Sequence, residues 1–156
     1  MKKILIIAPH LSTGGMPQYL LKKIENFKSQ FEIFVVEYNN FGSFDVQKKK
    51  IVESIGEDRH FNLNIKSEIL DIIDSIKPDI IQFEEIPEFF IDDVILKTIF
   101  DKRKNYKIVT TTHSSETNPD QLTYYPDKFL LVSEWSKLVF ENKLDIPCDI
   151  WEYPIE

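Results

Sequence analysis

One cysteine, four glycines and three histidines in 156 residues leave little room for several kinds of chemistry. Cys148 has no second cysteine to pair with, so an internal disulfide is excluded and a reducing cytoplasm is the compartment that fits. His10, His60 and His113 are scattered, and neither a Cys-x-x-Cys nor a His-x-x-x-His pair occurs. No metal site is therefore expected. Basic charge is also short, with 19 Lys and Arg against 26 Asp and Glu, a net charge of −7. That balance opposes broad binding of a phosphate backbone, and no nucleic-acid partner is expected. Long apolar runs are missing as well: the longest, Ile4–Pro9, is far too short to cross a bilayer. Met1-Lys2-Lys3-Ile4 opens straight into a strand-like segment, without the apolar region and cleavage site of a secretory signal.

What is present is core-forming. Hydrophobic residues make up 42% of the chain and aromatics 13%, among them 12 Phe. A chain of this length buries about two-thirds of its unfolded surface and needs neither disulfide nor metal to fold. Residues 1–156 are expected to form a single domain, with no internal repeat and no linker.

Lys3–Ala8 is a continuous Ile-rich run closed by Pro9, as in a strand buried on both faces of a parallel sheet. After a short loop, His10–Gly15, Pro17 suits the first turn of a helix. Leu20, Leu21, Ile24 and Phe27 then share one helical face, with Lys22, Lys23 and Glu25 expected to face out. Phe31–Tyr38 reads as the second strand, parallel to the first through a right-handed crossover. Phe44–Ile55 is expected as a helix or loop, and His60–Leu63 as a weak third strand. Ser67 is expected to cap a helix that ends at Lys77-Pro78. Further strands are expected at Asp79–Phe83, Lys107–Thr112, Lys128–Val132 and Asp149–Trp151. A helix opened by Asp92 separates the fourth from the fifth, and a short helix capped by Ser133 separates the last two. This is an α/β, doubly wound, mostly parallel Rossmann-like sheet of about six to seven strands, with helices on both faces.

In such a sheet, ligands bind beyond the carboxyl ends of the strands where the strand order reverses, here between the first and fourth strands. Three loops matter: His10–Gly15, Glu84–Pro87 and His113–Asn118. Gly14-Gly15 reads either as a phosphate seat at a helix N-terminus or as a plain tight turn. The loop lacks G-x-G-x-x-G, although Glu37 at the end of the second strand mimics the acid that binds a ribose. It lacks the Gly-Lys-Ser/Thr of a P-loop, and no G-x-S-x-G elbow occurs. His113 can hydrogen-bond a hydroxyl or a developing charge near neutral pH, or serve only as a strand end. Glu84-Glu85 reads as a base, a clamp for sugar hydroxyls or, by default, a solvated loop. His10, Ser114 and Ser133 complete the cleft-lining candidates. Lys48-Lys49-Lys50 is expected as a solvated face, and Tyr124, Tyr125 and Trp135 chiefly as core.

Taken together, Lys2–Gly15 with its following helix, Lys77–Phe83, Val109–His113 and Val132–Ser136 resemble the N-terminal, acceptor-side domain of a GT-B glycosyltransferase. The closest type is the retaining, family-four kind. The resemblance implies a hexosyltransferase that moves a sugar from a nucleotide sugar to a hydroxyl of a saccharide or lipid-linked acceptor, with retention. It implies that Gly14 and Gly15 approach the donor phosphates and the acceptor, that His113 is an active-site residue near the transferred sugar, and that Ser133 faces the cleft. No cofactor beyond the nucleotide-sugar donor is required. One departure is Gln82-Phe83-Glu84-Glu85, where the family often carries a histidine-containing segment.

The family holds its nucleotide sugar mainly in a second, C-terminal domain, with two glutamates eight positions apart, and no such pair occurs here. The chain is therefore expected to be half of such an enzyme, with the C-terminal domain as its missing partner, and inactive alone. Family members often dock on lipid, which implies the inner face of the membrane, yet no amphipathic basic helix supports it. A stand-alone flavodoxin-like nucleotide- or flavin-binding module is the alternative from another class. A partner-binding domain is the third.

Overall fold

The computed structural model describes residues 1–11, 15–39, 46–113 and 118–150, with residues 15–18 and 46–47 by backbone alone. Seven strands form one sheet: β1 (Lys2–Ala8), β2 (Phe31–Glu37), β3 (His60–Asn62), β4 (Ile80–Phe83), β5 (Lys107–Thr112), β6 (Lys128–Leu131) and β7 (Cys148–Ile150). Their order is β3-β2-β1-β4-β5-β6-β7, and each pairing is parallel. The order reverses between β1 and β4. Five helices connect the strands: α1 (Gly15–Phe27), α2 (Val46–Ile55), α3 (Glu68–Ile76), α4 (Asp93–Asp101) and α5 (Glu134–Lys143).

Alternation along β1 explains why its sequence is apolar throughout. Leu5 and Ile7 enter a core with Ile69, Ile73, Leu96 and Ile99 of α3 and α4. Ile4, Ile6 and Ala8 enter a second core with Leu20 and Ile24 of α1 and Ile51 of α2. A strand covered by helices on both faces has no side on which a polar residue meets water. A third, smaller core joins Phe129 and Leu131 of β6 to Phe140 of α5 and Cys148 of β7.

Several local expectations change. The third strand is only three residues long; of the segment expected as a helix or loop, Val46–Ile55 is helix, and Phe44 and Asp45 lie outside the described residues. Ser67 precedes α3 but makes no side-chain cap bond; Glu68 instead accepts the Ile65 N–H at 2.9 Å. Asp92 opens α4 without capping it, because its carboxylate accepts the Tyr38 hydroxyl at 3.1 Å. Ser133 does cap α5, accepting the Ser136 N–H at 3.2 Å. Lys77 ends α3 in the left-handed region, φ 53, with its N–H on the Ile73 carbonyl at 2.9 Å. The following Pro78 disfavours continued helix, so the chain turns there into β4. Trp135 is 61% exposed rather than packed, whereas Tyr124 and Tyr125 pack partly buried against the cores.

Candidate functional site

The same alternation that fills the core builds a polar cluster at the carboxyl ends of the central strands. In β4, Ile81 and Phe83 face α3 and α4, so Gln82 and Glu84 face α1. In β5, Ile108 faces α3 and α4, so Thr111 and His113 also face α1. Glu84 stays in register with β1 through its N–H on the Ile7 carbonyl at 2.9 Å. On α1, Tyr19 and Lys23 stand one turn apart on a shared face. Six side chains from three elements therefore meet above the point where the strand order reverses.

At their centre is Glu84, which is fully buried. Its Oε1 accepts Lys23 Nζ at 2.6 Å and Gln82 Nε2 at 2.6 Å. Its Oε2 lies 3.3 Å from His113 Nε2. Lys23 Nζ also reaches Thr111 Oγ1 at 3.5 Å and sits 4.6 Å from the centre of the Tyr19 ring. Tyr19 meets the His113 imidazole edge-on, with centroids 4.9 Å apart. Glu85 fixes the histidine a second way, since its Oε1 accepts the His113 backbone N–H at 3.1 Å. Consecutive glutamates thus hold one histidine by ring and by backbone.

Burial works against both charges of the pair. It pushes the Glu84 carboxyl upward, yet the Lys23 charge and the His113 contact outweigh it and the group ends below the ordinary glutamate range. Burial likewise pulls the Lys23 ammonium down, and Glu84 offsets only part of that. Each partner keeps the other charged, because an isolated ion in so dry a place would be neutralised instead.

Two expectations about this cluster are corrected. Glu84 does not lie in a solvated loop, and Lys23, 2% exposed, does not face out of α1. Lys23 stands three residues after Leu20 and four before Phe27, inside the apolar stripe. That position was the available signal, together with the polar residues Gln82-x-Glu84 and Thr111-x-His113 alternating at the ends of buried strands.

The other candidates are distributed along the same rim. Gly15 begins α1, one helical turn before Tyr19; Gly14 and Ser114 lie outside the described residues. His10 is half-buried just past β1. Ser133 follows β6, and its hydroxyl is engaged as the α5 cap. Glu37 does not offer a free carboxylate to a ribose. Fully buried, it accepts the Leu11 N–H at 2.8 Å and pairs with Lys48 Nζ at 2.8 Å, with His60 Nε2 at 3.5 Å. Lys48 is accordingly buried rather than part of a solvated face. Among the described residues no group of three His, Cys, Asp or Glu side chains could hold a metal ion, and no helix is long and apolar enough to cross a membrane.

Comparison with solved structures finds the same architecture in a sugar transferase. The lipopolysaccharide outer core galactosyltransferase WaaB, in its apo form, matches 99% of this chain at 20% identity with a TM-score of 0.59. The match covers 46% of that chain, so this chain spans about half the length of the solved transferase. The dTDP-glucose 4,6-dehydratase from Bacillus anthracis str. Ames, in complex with NAD, matches 96% of this chain and 54% of its own at 13% identity. Its TM-score is 0.46, a likeness too slight to bear weight. No protein-family model and no curated protein sequence matches. The chain is a Rossmann-like α/β domain whose fold matches about half of the WaaB galactosyltransferase.

Proposed function

We propose that this chain is the acceptor-side, N-terminal domain of a GT-B glycosyltransferase resembling the retaining, family-four kind. In the complete enzyme a hexosyl group passes from a nucleotide sugar to a hydroxyl of a saccharide or lipid-linked acceptor, with the anomeric configuration kept. As the glycosidic bond lengthens, negative charge grows on the departing diphosphate. In this reading Gly14 and Gly15, which lead into α1 in the sequence, offer that charge main-chain N–H groups and the positive end of the helix dipole. His113 contacts the transferred sugar, and His10, Glu85, Ser114 and Ser133 line the acceptor side. The second domain supplies most of the donor site, so the chain alone is inactive.

The observation that carries this reading is convergence. His113 after β5 touches both Glu84 after β4 and Tyr19 of α1 beside the β1–β4 switch point, where open α/β sheets take their ligands. The fold likeness to half of a galactosyltransferase agrees with it.

The test is transfer. The whole natural open reading frame that contains this sequence is expressed, and release of nucleoside diphosphate from a panel of nucleotide hexoses is followed with and without hydroxyl acceptors. The expected result is acceptor-dependent release that His113→Ala cuts by about 10²-fold or more, the scale for losing one preorganised polar contact to a transition state. A folded protein that releases none across the panel overturns the reading. Micromolar flavin binding by the chain alone, without transfer, favours the flavodoxin-like module instead.

A further inference from the structure

The apolar side chains that the fold leaves outside its cores gather at one corner. Among the described residues, the exposed large hydrophobic side chains other than Met1 are Ile65, Phe89, Val94, Trp135 and Leu138. Ile65 precedes α3, Phe89 and Val94 stand at the head of α4, and Trp135 and Leu138 lie one turn apart in the first half of α5. In an all-parallel sheet every helix starts at the carboxyl rim, where ligands bind. These three helices also share a layer. α3 and α4 pack in one core with Phe83; Phe83 is in register with Thr110 and Thr110 with Phe129, against which Phe140 of α5 packs. Exposed apolar residues scattered singly need no explanation, whereas a group of them marks an interaction surface.

Charge decides what kind of partner fits. Glu88, Asp92, Asp93 and Glu134 stand in the same helix heads, and none of them is ion-paired with a described residue. The nearest bases further along α4 and α5, Lys97 and Lys137, pair with Asp101 and Glu141. At the opposite rim acids are matched, Asp74 with Lys102 and Asp127 with Arg103. Helix dipoles favour acids in a first turn, but they do not account for the apolar side chains beside them. An anionic lipid surface is repelled by such a corner. A second copy seated face to face would set like charge against like. A cationic partner with an apolar centre fits, and a domain that holds the diphosphate of a nucleotide sugar supplies the cations.

We propose that this corner is the surface on which the second domain of the complete enzyme seats. Phe89, Val94, Trp135 and Leu138 pack against apolar residues of that domain, and Glu88, Asp92, Asp93 and Glu134 face its lysines or arginines. The existence of that domain rests on the transferase reading; the place where it seats is read from this chain.

Hydroxyl-radical footprinting read by mass spectrometry compares the 156-residue chain with the protein of the whole natural open reading frame, both without ligand. Trp135, 61% exposed in this chain, is expected to react at least about threefold more slowly in the whole protein, as a side chain taken into an interface core does. Phe89 and Leu138 follow it. Met1, exposed beside the start of β1 at the opposite rim, reacts alike in both and normalises the dose. In the whole protein Glu134→Lys is expected to return most of the Trp135 reactivity, because it sets like charge against the cationic face. In the 156-residue chain the same change leaves that reactivity as it was. Equal labelling of Trp135 in the two wild-type proteins overturns the proposal, and so does protection that Glu134→Lys leaves untouched. Protection of the chain alone as its concentration rises, or only on phosphatidylcholine vesicles, also overturns it, since the occupant is then a second copy or a lipid surface. Transfer by a whole protein whose corner stays labelled sinks this proposal and spares the transferase reading. A protected corner without transfer does the reverse, and an open reading frame with no second domain sinks both.

Discussion

Two trios of lysine, glutamate and histidine flank β1 on the same face of the sheet. One, under α1, joins Lys23, Glu84 and His113; the other, under α2, joins Lys48, Glu37 and His60. Each draws its lysine from a helix, its glutamate from the carboxyl end of a strand and its histidine from the next strand outward. Their glutamates are deployed differently. Glu37 gives Oε2 to the Leu11 backbone and shares Oε1 between Lys48 and a more distant His60. Glu84 gives Oε2 to the His113 ring, because Glu85 takes over the backbone bond. The same three residue types therefore make a brace for a loop in one place and a held imidazole at the sheet's rim in the other. An inventory of titratable groups does not separate the two; the assignment of each oxygen does.

The strongest way to break the comparison is to remove each histidine in turn. In the complete enzyme, His113→Ala is expected to lower transfer about 10²-fold or more. His60→Ala leaves turnover per folded molecule within a few-fold, and its cost falls on stability, about 1–3 kcal/mol for the buried partner it leaves unmet. Equal losses of transfer would mean that the Glu37 trio reaches the chemistry too.

Removing the glutamates should make the trios look alike. Glu84→Gln and Glu37→Gln each strand a buried lysine, and breaking a buried ion pair from one side costs about 3–5 kcal/mol. Urea denaturation measures this as a fall in midpoint at constant slope. Lys23→Met with Glu84→Met should recover most of the loss, since apolar residues of similar volume often replace a buried ion pair at little cost. A double variant as unstable as Glu84→Gln would show that Gln82 and Thr111, not the lost charge, set the penalty.

Acid sharpens the same point. Both glutamates titrate below the ordinary value of 4.5 in the fold, although burial alone would raise them, because Lys23 and His113 in one trio and His60, Lys48 and the Leu11 N–H in the other favour the anion. A carboxyl with a depressed folded value contributes stability that is complete above its unfolded value and is lost as pH falls through the folded one. The wild-type chain should therefore lose stability progressively below about pH 4.5. The Lys23→Met/Glu84→Met variant should show a shallower decline between pH 4.5 and 2, measured by denaturant midpoints at each pH. An unchanged slope would mean that Glu84 carries no linked proton.

Much of this was legible beforehand. Lys107–Thr112 stands as a strand with the bounds its β-branched run implies, and the sheet order follows from parallel right-handed crossovers. The rim location of His113 and Glu84 follows from strand ends. What could not be read was the inside of both trios. A lysine on an amphipathic helix is ordinarily a solvated residue, and Lys23 acquires its partner 61 residues further along the chain. Burial of Lys48 and Glu37 is equally a tertiary fact, created only when α2 packs over the β2–β3 edge. That Asp92 opens α4 without capping it is a tertiary fact too, since its carboxylate is taken by the Tyr38 hydroxyl from 54 residues away.

The smallest expected effect isolates the backbone bond that distinguishes the trios. Glu85 uses its two oxygens on two different N–H groups, Oε1 on His113 at 3.1 Å and Oε2 on Ile86 at 2.8 Å. Glu85→Gln keeps shape and length but offers one acceptor oxygen, so its amide NH₂ must face one of the two N–H donors. The loss should be about 1 kcal/mol, the worth of a single hydrogen bond in a partly buried place. Amide hydrogen exchange locates it, with protection falling at His113 or Ile86 while the Leu11 amide, held by Glu37, stays as it was. If protection falls at Leu11 as well, the trios are coupled through β1 and do not act as independent devices.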